Sequence, residues 1–178
     1  MEGKNILIAY FSRKGNNYVD GEIVNLPIGN TEVIAKMILQ ATNGDVFRIE
    51  TVKPYPLECK ETTDVAGKEL RNKARPKLSD RVKNMGEYDV VFLGYPNWWG
   101  TIPMPIATFL TDYEFSGKSI APFCTNEGSG LGTSVSYIKD ICPRSNILQG
   151  LAIRGGAVNK AQDEVSEWLN KIGISKQR

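Results

Sequence analysis

Short apolar runs alternate along this chain with longer segments in which apolar residues recur at helical spacing. Four runs have the length and the β-branched or aromatic content of strands buried on both faces, namely residues 6–11, 46–49, 90–95 and 120–124. A weaker fifth run, at 147–153, is interrupted by Gln149 and Gly150. Because parallel strands need crossover connections, the alternation predicts an α/β fold, with a five-stranded parallel sheet that helices cover on both faces.

The crossover segments carry apolar residues on one helical face. They are residues 33–41, about 58–74, 106–110, 135–141 and 165–172. The second of them lies in the most polar part of the chain, residues 53–87. We expect it to end before Pro76, because a residue that precedes proline avoids the helical conformation. Whether this polar part shapes a substrate pocket stays open at this stage.

Length and charge narrow the classes of protein to consider. The chain has 178 residues, of which 41% are hydrophobic and 24% charged, so we expect residues 1–178 to form one globular domain. Its 22 lysines and arginines are nearly balanced by 20 aspartates and glutamates, which leaves a net charge of +2. Proteins that bind nucleic acid by neutralising phosphates carry a larger positive excess, so we expect no nucleic-acid partner.

Histidine is absent, which removes the commonest general base and the Ser-His and Cys-His nucleophile pairs. The three cysteines are widely spaced and indicate neither a disulfide framework nor a metal site. Cys124 lies in an apolar run and is interpreted as a small buried hydrophobe rather than a redox thiol. No stretch has the roughly 18 apolar residues of a membrane span, and no signal-peptide cleavage site follows the N-terminus. We expect a cytoplasmic protein without a membrane partner.

The segment after the first apolar run has the residues of an anion site. Ligands of open parallel sheets bind outside the carboxyl ends of the strands, and here Ser12, Arg13, Lys14, Gly15 and Asn16 follow the run. Further along, Asn30 and Thr31 directly precede a predicted helix, either of them a suitable N-cap. A helix N-terminus presents free N–H groups and a positive dipole end, which together suit a phosphate. The alternative is an ordinary capped helix after a polar turn, with Arg13 and Lys14 either solvated or screening an anion.

Residues 17–29 form an excursion between the two halves of this segment. Within it, Asp20-Gly21 stands between two arms that carry apolar residues, which is typical of a β-hairpin. The excursion is interpreted either as a flap over the phosphate end or as an irregular surface loop.

Two adjacent tryptophans follow the third apolar run in a loop rich in proline and glycine. The loop contains Pro96, Asn97, Trp98, Trp99 and Gly100. Both indoles cannot point into the core from adjacent positions, and exposed aromatic surface indicates a flat ligand. The alternative is that one or both pack against the helix that follows.

A glycine-rich loop follows the fourth apolar run. It contains Thr125, Asn126, Glu127, Gly128 and Gly130. The glycines permit close approach of the backbone and leave N–H groups that can donate to the edge of a heterocycle. A phosphate cage, an aromatic wall and an edge of backbone donors together specify flavin mononucleotide (FMN).

The same residues resemble the flavodoxin-like family over essentially the whole chain. The resemblance rests on Tyr10-Phe11-Ser12-Arg13 with Gly29-Asn30-Thr31, on Tyr88 to Pro96 with Trp98-Trp99-Gly100, and on Gly117-Lys118 with Gly128-Ser129-Gly130. It implies a doubly wound sheet in the order 2-1-3-4-5 and non-covalent FMN. It also implies that residues 12–16, Asn30 and Thr31 hold the phosphate, that residues 96–100 lie beside the isoalloxazine, and that residues 125–130 lie at its pyrimidine edge.

This chain departs from the family at two places. The excursion at 17–29 leaves open whether Asn16 or Asn30 takes the place of the family's asparagine. Asn126 stands where related sequences often carry histidine, so a proton donor is absent there.

The resemblance implies one of two redox functions. It does not identify catalytic residues. In the first, the protein passes electrons through FMN to or from a protein partner. In the second, NAD(P)H reduces the FMN and a quinone, a flavin or a similar aromatic acceptor reoxidises it.

An isoelectric point of about 8.4 argues against a pure carrier, because carriers of this family are acidic. A signalling module without flavin is disfavoured, because the first run ends in Tyr10-Phe11-Ser12 rather than in acidic residues. The protein is expected to be a monomer or a homodimer.

The residues of these loops also suggest how the protein would set the redox potential of the flavin. The glycine at position 100 would let its peptide change orientation with the oxidation state of the flavin. Glu127 is interpreted either as a charge near the ring that lowers its potential or as a solvated turn residue.

Overall fold

The computed structural model describes residues 3–174, in which strands and helices alternate. The strands are β1 (Ile6–Tyr10), β2 (Gly15–Val19), β3 (Glu22–Leu26), β4 (Asp45–Arg48), β5 (Val90–Pro96), β6 (Ser119–Asn126), β7 (Asn146–Ile147) and β8 (Leu151–Arg154). The helices are α1 (Asn30–Thr42), α2 (Cys59–Arg71), α3 (Met104–Asp112), α4 (Ser134–Ile141) and α5 (Gln162–Lys171). None of the helices in this part of the chain is long and apolar enough to cross a membrane.

The central sheet is parallel, with the strand order β4-β1-β5-β6-β7. Its fifth position is shared, because β8 also pairs with β6, further toward the carboxyl end of that strand. The break between β7 and β8 falls at residues 148–150, where Gln149 and Gly150 interrupt the apolar run. Counting β7 and β8 as one strand gives the predicted order 2-1-3-4-5, so the predicted fold class is confirmed.

Helices cover both faces of the sheet, as the continuous apolarity of the strands requires. On one face α1 and α5 bury Ile38 and Trp168 against the sheet, and the Trp168 indole N–H donates to the carbonyl of Gln149 at 2.8 Å. On the other face α3 and α4 bury Phe109 and Ile138. The sheet is thereby fixed between two apolar layers, and the polar loops that follow β1, β5 and β6 lie at its carboxyl edge.

A hairpin stands apart from the central sheet. Strands β2 and β3 pair antiparallel, and the turn between them is Asp20-Gly21 with φ angles of 50° and 90°. Positive φ at both central residues is the geometry that an Asp-Gly hairpin turn adopts. The hairpin signal is confirmed, and the hairpin falls largely within the excursion at 17–29.

Helix α2 is shorter than the predicted 58–74 segment. Glu58 is its N-cap, because the carboxylate of Glu58 accepts the N–H groups of Lys60 and Glu61 at 3.0 and 2.7 Å. The helix ends at Arg71, with Asn72 as its C-cap, ahead of the Arg75-Pro76 pair. It lies beside β2, at the same edge of the sheet as the loops that follow β1, β5 and β6.

Candidate functional site

A cavity of about 410 Å³ opens at the carboxyl edge of the sheet. Residues from all three predicted loops line it: Ser12, Arg13, Asn30 and Thr31 from the first, Pro96, Asn97, Trp98, Trp99 and Gly100 from the second, and Thr125, Asn126 and Glu127 from the third. The carboxyl ends of parallel neighbours meet at one edge, and this geometry brings together loops that are far apart in sequence.

Five predicted site residues do not line the cavity. Lys14 and Asn16 are exposed, and Gly15 begins β2. Gly128 and Gly130 lie in the third loop, but their N–H groups donate to the side-chain oxygen of Asn126 at 2.9 and 3.2 Å. The two glycine N–H groups are therefore used within the loop. The asparagine that borders the cavity beside α1 is Asn30, not Asn16.

Seven further residues line the cavity. They are Asn17 and Tyr18 of the hairpin, Cys59, Thr62, Thr63 and Ala66 of α2, and Ser129 of the third loop. Ser129 belongs to the predicted 125–130 segment and the hairpin pair to the excursion at 17–29, whereas the four residues of α2 were not predicted. The polar segment before the third strand thus does shape the cavity. The i, i+4 spacing of Thr62 and Ala66 places them on one helical face, but which face meets the cavity depends on how α2 packs.

The N-terminus of α1 forms one end of the cavity. The N-cap is Gly29, not Asn30 or Thr31 as expected, and it supplies no side chain. Ser12, at the end of β1, provides the missing oxygen and accepts the N–H of Glu32 at 3.1 Å. A side chain at position 29 would overlap the Ser12 hydroxyl and the Arg13 carbonyl, so glycine is needed for this close approach.

Two N–H groups remain at this helix end. Within residues 3–174, those of Asn30 and Thr31 have no acceptor, as is usual in the first turn of a helix. Beside them, the buried hydroxyls of Thr31 and Thr125 form a hydrogen bond of 2.8 Å. This end of the cavity therefore presents N–H donors, hydroxyls and the positive end of a helix dipole, which together suit an anion.

The Arg13 guanidinium is committed to the backbone. It donates to the carbonyls of Asn16, Pro56 and Leu57, and burial lowers its pKa from the ordinary arginine value. Arg13 ties the first loop to the segment that precedes α2. The Arg13 side chain is therefore neither a solvated charge nor a free charge that screens an anion, which were the two alternatives for it.

The two tryptophans have different environments. Trp98 packs edge-on against Phe11 and Tyr55, with ring centroids 5.2 and 5.1 Å apart. Trp99 is 57% exposed and lies over α2, where its indole N–H donates to the carbonyl of Thr63 at 2.9 Å. Trp98 thus anchors the loop against the core while bordering the cavity, and Trp99 presents an exposed indole there.

Asn97 joins the second loop to the third. Its side-chain amide donates to the carbonyl of Gly130 at 2.8 Å, and its side-chain oxygen accepts the N–H of Gly100 at 2.9 Å. The carbonyl of Gly100 accepts the N–H of Thr133 at 2.8 Å. Both backbone groups of Gly100 are therefore engaged, so the proposed change of peptide orientation would first require these bonds to break.

Glu127 contacts the hairpin. Its carboxylate accepts the backbone N–H of Asp20 at 2.9 Å, and it lies against Gly155 together with the side-chain amide of Asn30. The structure thus gives the Glu127 carboxylate a defined partner at the tip of the hairpin. The N–H groups of Glu127 and Ser129 have no acceptor among the described residues, so the third loop keeps donors at positions other than the two glycines.

Cys124 is a buried thiol, as its position in an apolar run predicts. Its Sγ lies 3.2 Å from the carbonyl oxygen of Gly130, and burial raises its pKa to about 12. A thiol that stays protonated at neutral pH is a poor nucleophile, so Cys124 serves packing.

A family model described as Flavodoxin matches residues 5–172. A search of curated protein sequences found no match.

Three solved structures have the same fold. A protein from Bacteroides eggerthii DSM 20697 that is classed as a flavoprotein is 29% identical, with 97% of this chain and 100% of that chain covered and a TM-score of 0.75. A second one, from Bacteroides uniformis ATCC 8492, is 25% identical over 95% of this chain and 99% of that chain, with a TM-score of 0.74. A flavoprotein from Lactobacillus acidophilus NCFM, solved in complex with FMN, is 21% identical over 89% and 98%, with a TM-score of 0.61.

Proposed function

This chain belongs to the flavodoxin family, and from that premise we propose that it binds FMN non-covalently in the cavity and transfers electrons through it. The observation that carries the proposal is the convergence of the three loops on one cavity that ends at the N-terminus of α1. FMN supplies the redox chemistry when bound, and the protein supplies binding and electrostatics.

The residues of the cavity fit this cofactor. Its volume of about 410 Å³ lies within the range of small-molecule and cofactor sites. The unpaired N–H groups of Asn30 and Thr31 suit a phosphate, and the exposed Trp99 indole suits a flat ring. The Lactobacillus acidophilus flavoprotein, which was solved with FMN, shares the fold and supports the same assignment.

Each part of the site has a distinct task in this proposal. Asn30 and Thr31 bind the phosphate, and the Thr31 and Thr125 hydroxyls border it. Trp99 excludes water from one side of the ring. The N–H groups of Glu127 and Ser129 are the donors for the polar edge of the flavin, because Asn126 occupies those of Gly128 and Gly130.

A second candidate is an NAD(P)H-dependent FMN oxidoreductase with a quinone or flavin acceptor. The near-neutral charge of the chain favours it, because an isoelectric point of about 8.4 means that the chain lacks the net negative charge that docking to basic electron-transfer partners uses. The exposed Trp99 and the face of α2 beside it would then border the acceptor.

The visible spectrum of the purified protein tests the cofactor, and anaerobic reduction tests the role. We expect flavin absorption bands in the isolated protein, or on addition of FMN. Reduction by dithionite in two one-electron stages, with no response to NADH or NADPH, supports the carrier. Rapid bleaching by NADPH and turnover of a quinone support the oxidoreductase. A colourless protein that does not take up FMN contradicts both.

A further inference from the structure

The hairpin closes the cavity at the phosphate end. At its base, the side-chain amide of Asn17 donates to the carbonyls of Arg13 and Gly15 at 3.0 and 3.1 Å. At its tip, Asp20 donates its N–H to the carboxylate of Glu127, on the far side of the α1 N-terminus. Between base and tip, Asn17 and Tyr18 line the cavity. The hairpin therefore crosses over the end of the site where a phosphate would be held.

The tip is docked at close range. A side chain at Gly156 would overlap the Asp20 carboxylate, and one at Gly155 would meet both the Glu127 carboxylate and the Asn30 amide. The tip, Glu127 and Asn30 thus form a continuous closure beyond the helix end. A ligand that continued past its first phosphate would have to displace this closure.

The charges at the closure also disfavour a second phosphate. The N-terminus of α1 offers its N–H groups and dipole to one phosphate, whereas the charged groups at the closure beside it are the carboxylates of Asp20 and Glu127. The cation nearest to them is Arg154, whose guanidinium lies 3.9 Å from the Asp20 carboxylate, with both side chains 60% exposed. Arg13 is held by backbone carbonyls. A second phosphate would therefore meet like charges.

We propose that the hairpin makes the site selective for a flavin whose phosphate is a terminal monoester, and that Glu127 and Asp20 determine this selectivity against the dinucleotide FAD. The inference rests on the proposed function and extends it to the choice of cofactor. Glu127 acts in two ways, by holding the hairpin tip through the Asp20 N–H and by repelling additional negative charge.

The test compares FMN with FAD on the full-length apoprotein. Titration followed by flavin fluorescence gives both dissociation constants, and hydrogen exchange of residues 15–26 reports on the hairpin without any flavin. We expect wild type to bind FMN about 100-fold more tightly than FAD. Glu127→Ala removes the acceptor of the Asp20 N–H, so the exchange of the hairpin rises and the preference for FMN falls about tenfold. Glu167→Ala is the matched control, because it removes the same side chain from an exposed position of α5 outside the site.

Glu127→Gln separates the two roles of Glu127 and serves also if Glu127→Ala fails to fold. Its amide oxygen still accepts the Asp20 N–H, so hairpin exchange stays unchanged, whereas the lost charge lowers the preference for FMN about threefold. Equal affinity of wild type for FMN and FAD overturns the selectivity, and so does an unchanged preference in both variants. Failure of wild type to bind either flavin is a different result, which overturns the proposed function and the selectivity with it.

Discussion

The second loop and the hairpin border the same cavity but are held in place by different forces. Residues 96–100 are fixed by the packing of Trp98 against two aromatic rings and by the hydrogen bonds of Asn97 to two glycines. The hairpin has no aromatic packing of this kind and is fixed by polar contacts at its base and tip. Local opening costs least where few apolar contacts are broken. The loop is therefore a fixed wall, and the hairpin is the part of the site that can open.

The sharpest test of this difference compares the two tryptophans. Trp98→Ala removes an anchor of the fixed wall and should lower the free energy of unfolding by about 3 kcal/mol, the usual cost of a large-to-small change in a core. Trp99→Ala should cost less than about 1 kcal/mol, because the side chain is largely exposed. Urea denaturation of the two apoproteins measures both values. Equal losses would show that the loop is not anchored by Trp98.

Removal of the Asn97 hydrogen bonds in the same loop is expected to lower the free energy of unfolding by a smaller amount. Asn97→Ala leaves the Gly100 N–H and the Gly130 carbonyl without their partner, so we expect a loss of about 2 kcal/mol in the free energy of unfolding. Asn97→Asp keeps an acceptor for Gly100 but loses the donor to Gly130 and should fall between alanine and wild type. If both variants unfold with the wild-type midpoint, Asn97 does not join the two loops.

The pair beneath the wall predicts a pH dependence. The Tyr55 hydroxyl donates to Glu69 at 2.6 Å, and burial raises the pKa of the Glu69 carboxyl above its ordinary value. A raised carboxyl pKa means that the native state binds a proton more tightly than the unfolded state, so this contribution to stability is lost as pH rises through the raised pKa. Glu69→Gln abolishes the titration.

Denaturation of wild type and Glu69→Gln across this pH range measures the effect. The stability of wild type relative to the variant should fall as pH rises from below the ordinary glutamate pKa through the raised value. A constant difference between the two proteins at every pH would contradict the assignment.

The smallest effect is expected at the hairpin tip. The contact of Arg154 with Asp20 joins two exposed side chains at 3.9 Å, and such pairs contribute little in water. Arg154→Gln should therefore change the free energy of unfolding by less than about 0.5 kcal/mol. A loss as large as that of Asn97→Ala, in the same denaturation experiment, would place the hairpin among the fixed parts of the molecule.

Much of the fold was predictable because each strand carries its own local signal. The apolar runs marked the strands to within a few residues, and Gln149 with Gly150 marked the break in the fifth strand. The Asp20-Gly21 pair marked a hairpin turn because positive φ at both residues is a local property of the backbone. The capping of α1 was not predictable in this way. The oxygen that accepts the Glu32 N–H comes from Ser12, which lies 20 residues earlier in the chain.

Within the site, residues that follow a strand were predicted to border the cavity, because their position depends only on the direction of the sheet. The face of α2 was missed, and the sequence did not choose between a flap and a surface loop for the hairpin, since both depend on packing between distant segments. The partners of Gly128 and Glu127 were also missed, because a hydrogen bond between side chain and backbone depends on distances of a few tenths of an ångström.

The amino-acid sequence by itself determined the α/β class, the order of the elements and the three loops that meet at the carboxyl edge. Periodicity and turn chemistry act over a few residues and need no tertiary contact. Only the tertiary structure decided which N–H groups stay free, which of the two tryptophans packs against the core and which is exposed, and that Glu127 meets the tip of the hairpin. These outcomes depend on the relative placement of segments up to 107 residues apart, for which no local pattern exists.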